Sequence, residues 1–196
     1  HGWLGVQRWF VYDNNSDDNL KDVIDTLNEE NNYNVTRHVW PRVTSQEAGF
    51  SHCVLRAGSE CKWVGFFDVD EFYYIPSKKV GKLGNPGRLR EIIDDVALGS
   101  ESIGEIQADC HSFGPSGLKE SPKEGVTFGY TCRMKNSERH KSIVRPVAVD
   151  DTLMNQVHHF LLKDEFRKTR LSKNKVVINH YKYQVWNVFK SKFHRR

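Results

Sequence analysis

The chain has 196 residues, a net charge of +4, and 38% hydrophobic, 12% aromatic and 28% charged residues; this fits one globular domain with a core of its own and excludes a disordered or low-complexity chain. No run approaches the roughly 18 apolar residues that a membrane span needs. The basic excess collects in the C-terminal third and ends in Lys190-Ser191-Lys192-Phe193-His194-Arg195-Arg196; such charge suits nucleic acid, anionic lipid or acidic glycan, but it reads first as a solvated helix face and no nucleic-acid partner is expected.

In chain order, Trp9-Phe10-Val11-Tyr12 predicts a buried strand that stops at the turn-rich Asp13-Asn14-Asn15-Ser16-Asp17-Asp18. Leu20, Val23, Ile24 and Leu27 then fall at helical spacing behind those acids. A second strand is expected over Asn34 to Val39, closed by Trp40-Pro41, and a second helix through Phe50, Cys53, Val54 and Ala57. Trp63 to Phe67 is apolar on both faces, as for a central strand of a mostly parallel sheet covered by helices. This alternation predicts an α/β fold of nucleotide-binding kind.

Past Pro76, Leu89, Ile92, Ile93 and Val96 mark a helix and Ile103 to Ala108 a strand. Ser112 to Gly117 and Lys119 to Gly125 are rich in turn residues and read as surface loops over a site, with a helix opening near Val126. Ser142 to Val144 and Val176 to Ile178 are short strands, and Val185, Val188, Phe189 and Phe193 make one face of a docking helix. Cys53, Cys61, Cys110 and Cys132 contain no Cys-x-x-Cys pair, which argues against zinc. A Cys53–Cys61 bridge is expected in an oxidising compartment, with free thiols as the alternative. Asn14-Asn15-Ser16 and Asn34-Val35-Thr36 are sequons that matter only if exposed in a secretory lumen.

The sharpest chemical feature is Phe66-Phe67-Asp68-Val69-Asp70-Glu71-Phe72, three carboxylates at the C-terminal end of an apolar strand. In extended chain Asp68 and Asp70 point to one side, and such oxygens suit Mg²⁺ or Mn²⁺. A strand's carboxyl end is also where open α/β sheets gather ligands. The other reading is a strand end that merely caps a turn. A metal so placed stabilises a departing nucleoside diphosphate. Histidines at Val157-His158-His159-Phe160 and Asn179-His180-Tyr181 are candidates to complete the shell.

Trp9 to Asp18 (WFVYDNNSDD), Thr44 to His52 (TSQEAGFSH), Trp63 to Phe72 (WVGFFDVDEF), His140 to Pro146 (HKSIVRP) and Asn179 to Tyr183 (NHYKY) together resemble glycosyltransferase family 92. Within that family the segments resemble the plant branch, which includes pectic galactan β-1,4-galactosyltransferases. The resemblance covers nearly the whole chain and implies a single GT-A-type domain over 1–196 with a mixed, mostly parallel central sheet. It also implies an inverting mechanism, a UDP-sugar donor with UDP-galactose first, Mn²⁺ dependence, a glycan acceptor, and a type II membrane protein of the Golgi lumen. By position, Asp68 and Asp70 resemble the family's metal motif, and Asp13 with Asn15 and Asp17 its nucleotide-contacting strand end. His158 or His180 resembles a late histidine recruited to the metal. Glu124 resembles the acidic position that serves as base in many such enzymes, with Asp109 as the alternative, and Ser112 to Gly117 resembles an acceptor-side loop. The family pattern places another strand and helix before His1, so the resemblance implies an N-terminally truncated piece of a longer protein.

A nucleotidyl or phosphoryl transferase would use the same acids, but Gly-x-x-x-x-Gly-Lys-Ser/Thr is absent. A carbohydrate-binding or scaffold module without catalysis is the remaining alternative.

Overall fold

The computed structural model describes residues 1–30, 33–41, 46–76, 86–152 and 158–194. The sequence enters β1 (Trp9–Asp13), α1 (Leu20–Glu29), β2 (Val35–Val39) and α2 (Gln46–Ala57) in the expected order. Asp18 Oδ1 accepts the Leu20 N–H at 3.1 Å, satisfying a donor left free at the start of α1. Asn28 fastens that helix to β2, its side chain donating to Val35 O (3.0 Å) and accepting from Val35 N (2.8 Å). Ile24 is buried, whereas Val23, counted in the same apolar stripe, is 44% exposed. β1 and β2 pair in parallel, Trp9 against Val35 and Asp13 against Val39, so the loops after both emerge together.

This pair stands apart from the larger sheet. Among the described residues β3 (Val64–Gly65), β4 (Glu71–Tyr74), β5 (Ile103–Ser112), β6 (Arg139–Val144), β7 (Arg167–Arg170) and β8 (Val177–His180) form a six-stranded sheet ordered β3-β6-β5-β8-β4, with β7 also on β5. β5 runs parallel to β7 and β8, while β3–β6, β5–β6 and β4–β8 are antiparallel. The sheet is therefore mixed rather than mostly parallel. The Trp63 to Phe67 strand also needs correction: only Val64–Gly65 is strand, antiparallel at the end of the strand order instead of central. Its apolar character comes from ring packing, Phe66 lying 4.9 Å from both Phe50 and Phe160.

α3 (Arg88–Leu98) buries Leu89, Ile92 and Ile93 in the cluster that holds Ile106, Ile143 and Ile178. Each such burial contributes about 1.5–3 kcal/mol. A second cluster joins α2 to the other side through Cys53, Val54, Val144 and Phe160. β5 passes so close to the turn at Pro146–Ala148 that a Cβ on Gly104 would lie 2.7 Å from Ala148 Cβ. α4 (Val126–Gly129) begins where expected, and α5 (Trp186–His194) is anchored just ahead of its start by buried Val185, whose N–H donates to Tyr130 Oη (3.1 Å).

All four cysteines are free thiols, so the expected Cys53–Cys61 bridge is not formed. Cys61 N–H still donates to Ala57 O at 2.8 Å, prolonging the helical path. Cys53 lies on the buried face of α2, whereas Cys61 follows the turn after the helix ends at Ala57, and no bond joins their sulfurs. Burial pushes the Cys53 thiol up to about 12.

Candidate active site

β3 leaves the sheet after Phe66, whose N–H donates to Ser142 O at 3.3 Å, and the chain turns back into β4 through Asp68, Val69 and Asp70. The turn is closed twice: Glu71 N–H donates to Asp68 O (3.1 Å), and Asp68 N–H donates to Glu71 Oε2 (2.8 Å). Val69 at its tip is 98% exposed. Asp68 and Asp70 are thus brought together by a tight turn, not by alternation along an extended strand. β4 lies against β8 with Glu71 opposite His180, and Tyr181 N–H donates to Asp70 O at 2.9 Å. This register delivers His180 to the acids, and ligand atoms of Asp68, Asp70 and His180 lie within 4.8 Å of one another. His180 Nε2 is 3.4 Å from Asp70 Oδ1, and its Nδ1 is 3.3 Å from Glu71 Oε1.

Cations already face these carboxylates. Lys192 Nζ of α5 is 2.9 Å from Asp70 Oδ2. Lys141 Nζ of β6, almost wholly buried, is 2.7 Å from Glu71 Oε1 and 3.3 Å from Asp68 Oδ2. Gln46 Nε2 donates to Asp68 Oδ1 at 2.6 Å. Burial pushes the Glu71 carboxyl up, and the Lys141 charge pulls it back only in part. Burial also acts to raise Asp70, but hydrogen bonds and charge from His180 and Lys192 outweigh it and hold Asp70 far below the usual carboxylate range. The cluster is a partly open acidic site held in place by the pairs that Lys141 makes with Glu71 and Asp68. Its two carboxylates and one imidazole fit a hard or borderline divalent ion such as Mn²⁺ or Mg²⁺, with Lys192 displaced from Asp70.

The remaining sequence-derived candidates lie elsewhere. His158 sits behind Lys141, its Nε2 2.6 Å from Lys141 Nζ, so the ammonium already uses its lone pair; its neighbour Val157 lies outside the described residues. Asp13 is buried and accepts from Ser16 N (2.9 Å) and from Arg37 Nε (2.8 Å) and Nη2 (2.5 Å). The Ser16 and then the Arg37 bonds hold it at about 2. It organises the loop that carries Asn15, in left-handed conformation at φ 56°, and Asp17, both exposed. Asp109 lies on the face of β5 opposite Cys110 and takes Arg170 Nε (2.7 Å) and Lys173 Nζ (3.3 Å). Glu124 is exposed in the turn before Gly125. Lys141, Lys192 and Gln46 were not singled out as site residues, although a lysine set directly before the apolar Ser142-Ile143-Val144 is the same kind of signal as the acids after Phe67.

His158 gives the fold a pH dependence. Burial first, and then the Lys141 charge, pushes its imidazole down to about 3, against about 6.5 in an unfolded chain. The unfolded state therefore binds a proton that the folded state refuses, and the stability present above pH 6.5 is lost as pH falls toward 3. His158→Gln, which keeps an acceptor for Lys141 and cannot titrate, is expected to remove about 1–2 kcal/mol of the stability difference between pH 7 and pH 5. Urea unfolding at the two pH values measures it, and an unchanged difference contradicts it.

Fold and cluster together define an α/β domain with a candidate divalent-cation and anion site where the chain turns from β3 into β4. The family model for glycosyltransferase family 92 matches residues 1–196. Curated relatives include glycosyltransferase family 92 proteins of Ricinus communis (58% identical), Arabidopsis thaliana (55%) and Oryza sativa subsp. japonica (50%), each aligned over the whole of this chain. The chain belongs to glycosyltransferase family 92. It spans about a third of the length of those relatives, 34%, 34% and 32% respectively.

Proposed function

We propose that this chain is part of the catalytic core of a metal-dependent, GT-A-type glycosyltransferase that moves a sugar from a UDP-sugar to a glycan acceptor with inversion. The observation that carries the reading is the convergence of Asp68, Asp70 and His180 within 4.8 Å, in a chain of this family. In this reading Asp68, Asp70 and His180 hold Mn²⁺ or Mg²⁺. The ion, when bound, neutralises charge on the departing diphosphate. Lys192, freed from Asp70, is placed to pair with a phosphate oxygen, and Lys141 keeps Asp68 and Glu71 in position from below. The Asp13 loop, braced by Arg37, offers Asn15 and Asp17 to the nucleoside.

UDP-galactose is the first donor to try, and the Golgi lumen, through a type II membrane protein, is the proposed location; both rest on the resemblance of the motifs. No helix among the described residues is long and apolar enough to cross a membrane. The test is UDP release from a panel of UDP-hexoses with Mn²⁺ and with EDTA. Release is expected only with the metal, falling by at least about 100-fold on its removal. Equal release in EDTA contradicts metal dependence, and metal-independent glycan binding without any release favours a binding module instead.

A further inference from the structure

One face of the larger sheet carries Glu71, His180, Cys110 and Ser112 side by side, because Glu71 pairs with His180 and His180 with Ser112. The segment before β6 runs along the edge of β5 away from β8: Met134 N–H donates to Ser112 O (2.9 Å) and Glu138 N–H to Cys110 O (3.2 Å). Glu138 is thereby placed two strands from His180, with Ser112 of β5 between them, a separation of roughly 10 Å at about 4.8 Å per strand. Its carboxylate is held at both oxygens. Ser112 Oγ donates to Oε2, and Tyr183 Oη donates to Oε1 at 3.1 Å. Lys182 Nζ stands 3.6 Å from Oε2. The side chain nevertheless keeps 28% of its surface open. The Ser112 bond first, with Tyr183 and Lys182 outweighing the opposing effect of burial, holds the carboxyl below its usual range.

The other acids near the site are committed. Glu71 is fully buried against Lys141, Asp68 and Asp70 face the metal position, and Asp109 is paired with Arg170 and Lys173 on the opposite face. Glu138 combines a carboxyl held below its usual range, fixed orientation and access to solvent with a place across β5 from His180, joined to it through Ser112, which pairs with His180.

Resting on the transferase reading above, we propose that Glu138 is the general base that takes the proton from the attacking hydroxyl. The acceptor O–H proton passes to a Glu138 oxygen as the acceptor oxygen forms its bond to the anomeric carbon. The bond from that carbon to the diphosphate oxygen breaks, and its electron pair leaves with UDP. Water reacts in the same way when no acceptor is present. Ser112 and Tyr183 are positioning residues that act through the carboxylate.

The test uses the full chain with Mn²⁺, a panel of UDP-hexoses, and sodium azide as a nucleophile that has no proton to lose. Glu138→Gln is expected to bind UDP with Mn²⁺ within about threefold of wild type while UDP release falls by about 10²–10⁴-fold. Azide is expected to restore UDP release in Glu138→Ala, with a glycosyl azide as product, and to restore nothing in Asp70→Asn. Near-normal release by Glu138→Gln, or a UDP-binding Glu138→Ala that azide does not rescue, overturns the assignment and leaves the transferase reading standing. A wild type that binds no UDP with Mn²⁺ overturns that reading and the base with it. A wild type that binds UDP but cleaves no donor, with or without azide, overturns the base assignment.

Discussion

Asp70→Asn is expected to abolish Mn²⁺-dependent UDP binding while the chain stays folded. The backbone part of Asp70 survives the change, because its carbonyl still accepts the Tyr181 N–H (2.9 Å) that docks the turn on β8. What disappears is the charge that faces His180 and Lys192. Lys192 is 44% exposed, and a pair of that kind contributes at most about 1 kcal/mol to stability. Changing groups that merely orient metal ligands already costs about 10–100-fold in metal affinity, so the loss of a ligand should cost more than that. Titration of UDP with Mn²⁺, beside a thermal unfolding curve, separates the two effects. Unchanged affinity in the folded variant excludes Asp70 from the metal.

Lys141→Ala is expected to cost far more stability than any change on the rim of the site, about 3–5 kcal/mol. Lys141 is 4% exposed and Glu71 0%, with 2.7 Å between ammonium and carboxylate. Removing the lysine leaves a buried carboxylate without its counter-charge, next to Asp68. The cost lies in the unpaired acid more than in the lost pair, so Glu71→Gln in the same chain should return part of the stability. Urea unfolding of the single and double variants measures the coupling. If Lys141→Ala is as stable as wild type, or the double variant is simply the sum of the singles, the pair does not hold the turn.

The difference between what was readable in sequence and what was not follows from range. Leu89, Ile92 and Ile93 keep helical spacing within one element, and α3 appears where that spacing puts it. The acids after Phe67 break an apolar run, and that local contrast marks the site wherever the strand ends up. The place of Trp63 to Phe67 in the sheet was not local: its double-sided apolarity equally describes a central strand and an edge segment under Phe50 and Phe160. β7 was missed because Arg167-Lys168-Thr169-Arg170 carries no apolar alternation, its register coming from β5. His180 and His158 were indistinguishable as candidates in sequence. Pairing of β8 with β4 brings one to Asp70, while Lys141 takes up the other. Glu138 is invisible for the same reason, since its partners Ser112 and Tyr183 lie 26 and 45 residues away.

The most direct measurement is a calorimetric titration of UDP into the chain, once with Mn²⁺ and once with EDTA, repeated for Asp68→Ala and His180→Ala. If Asp68, Asp70 and His180 hold the ion that binds the diphosphate, UDP binds with Mn²⁺ only, and each variant lowers that affinity by at least about tenfold. UDP binding of equal strength in EDTA, or metal-dependent binding that both variants retain in full, contradicts the site.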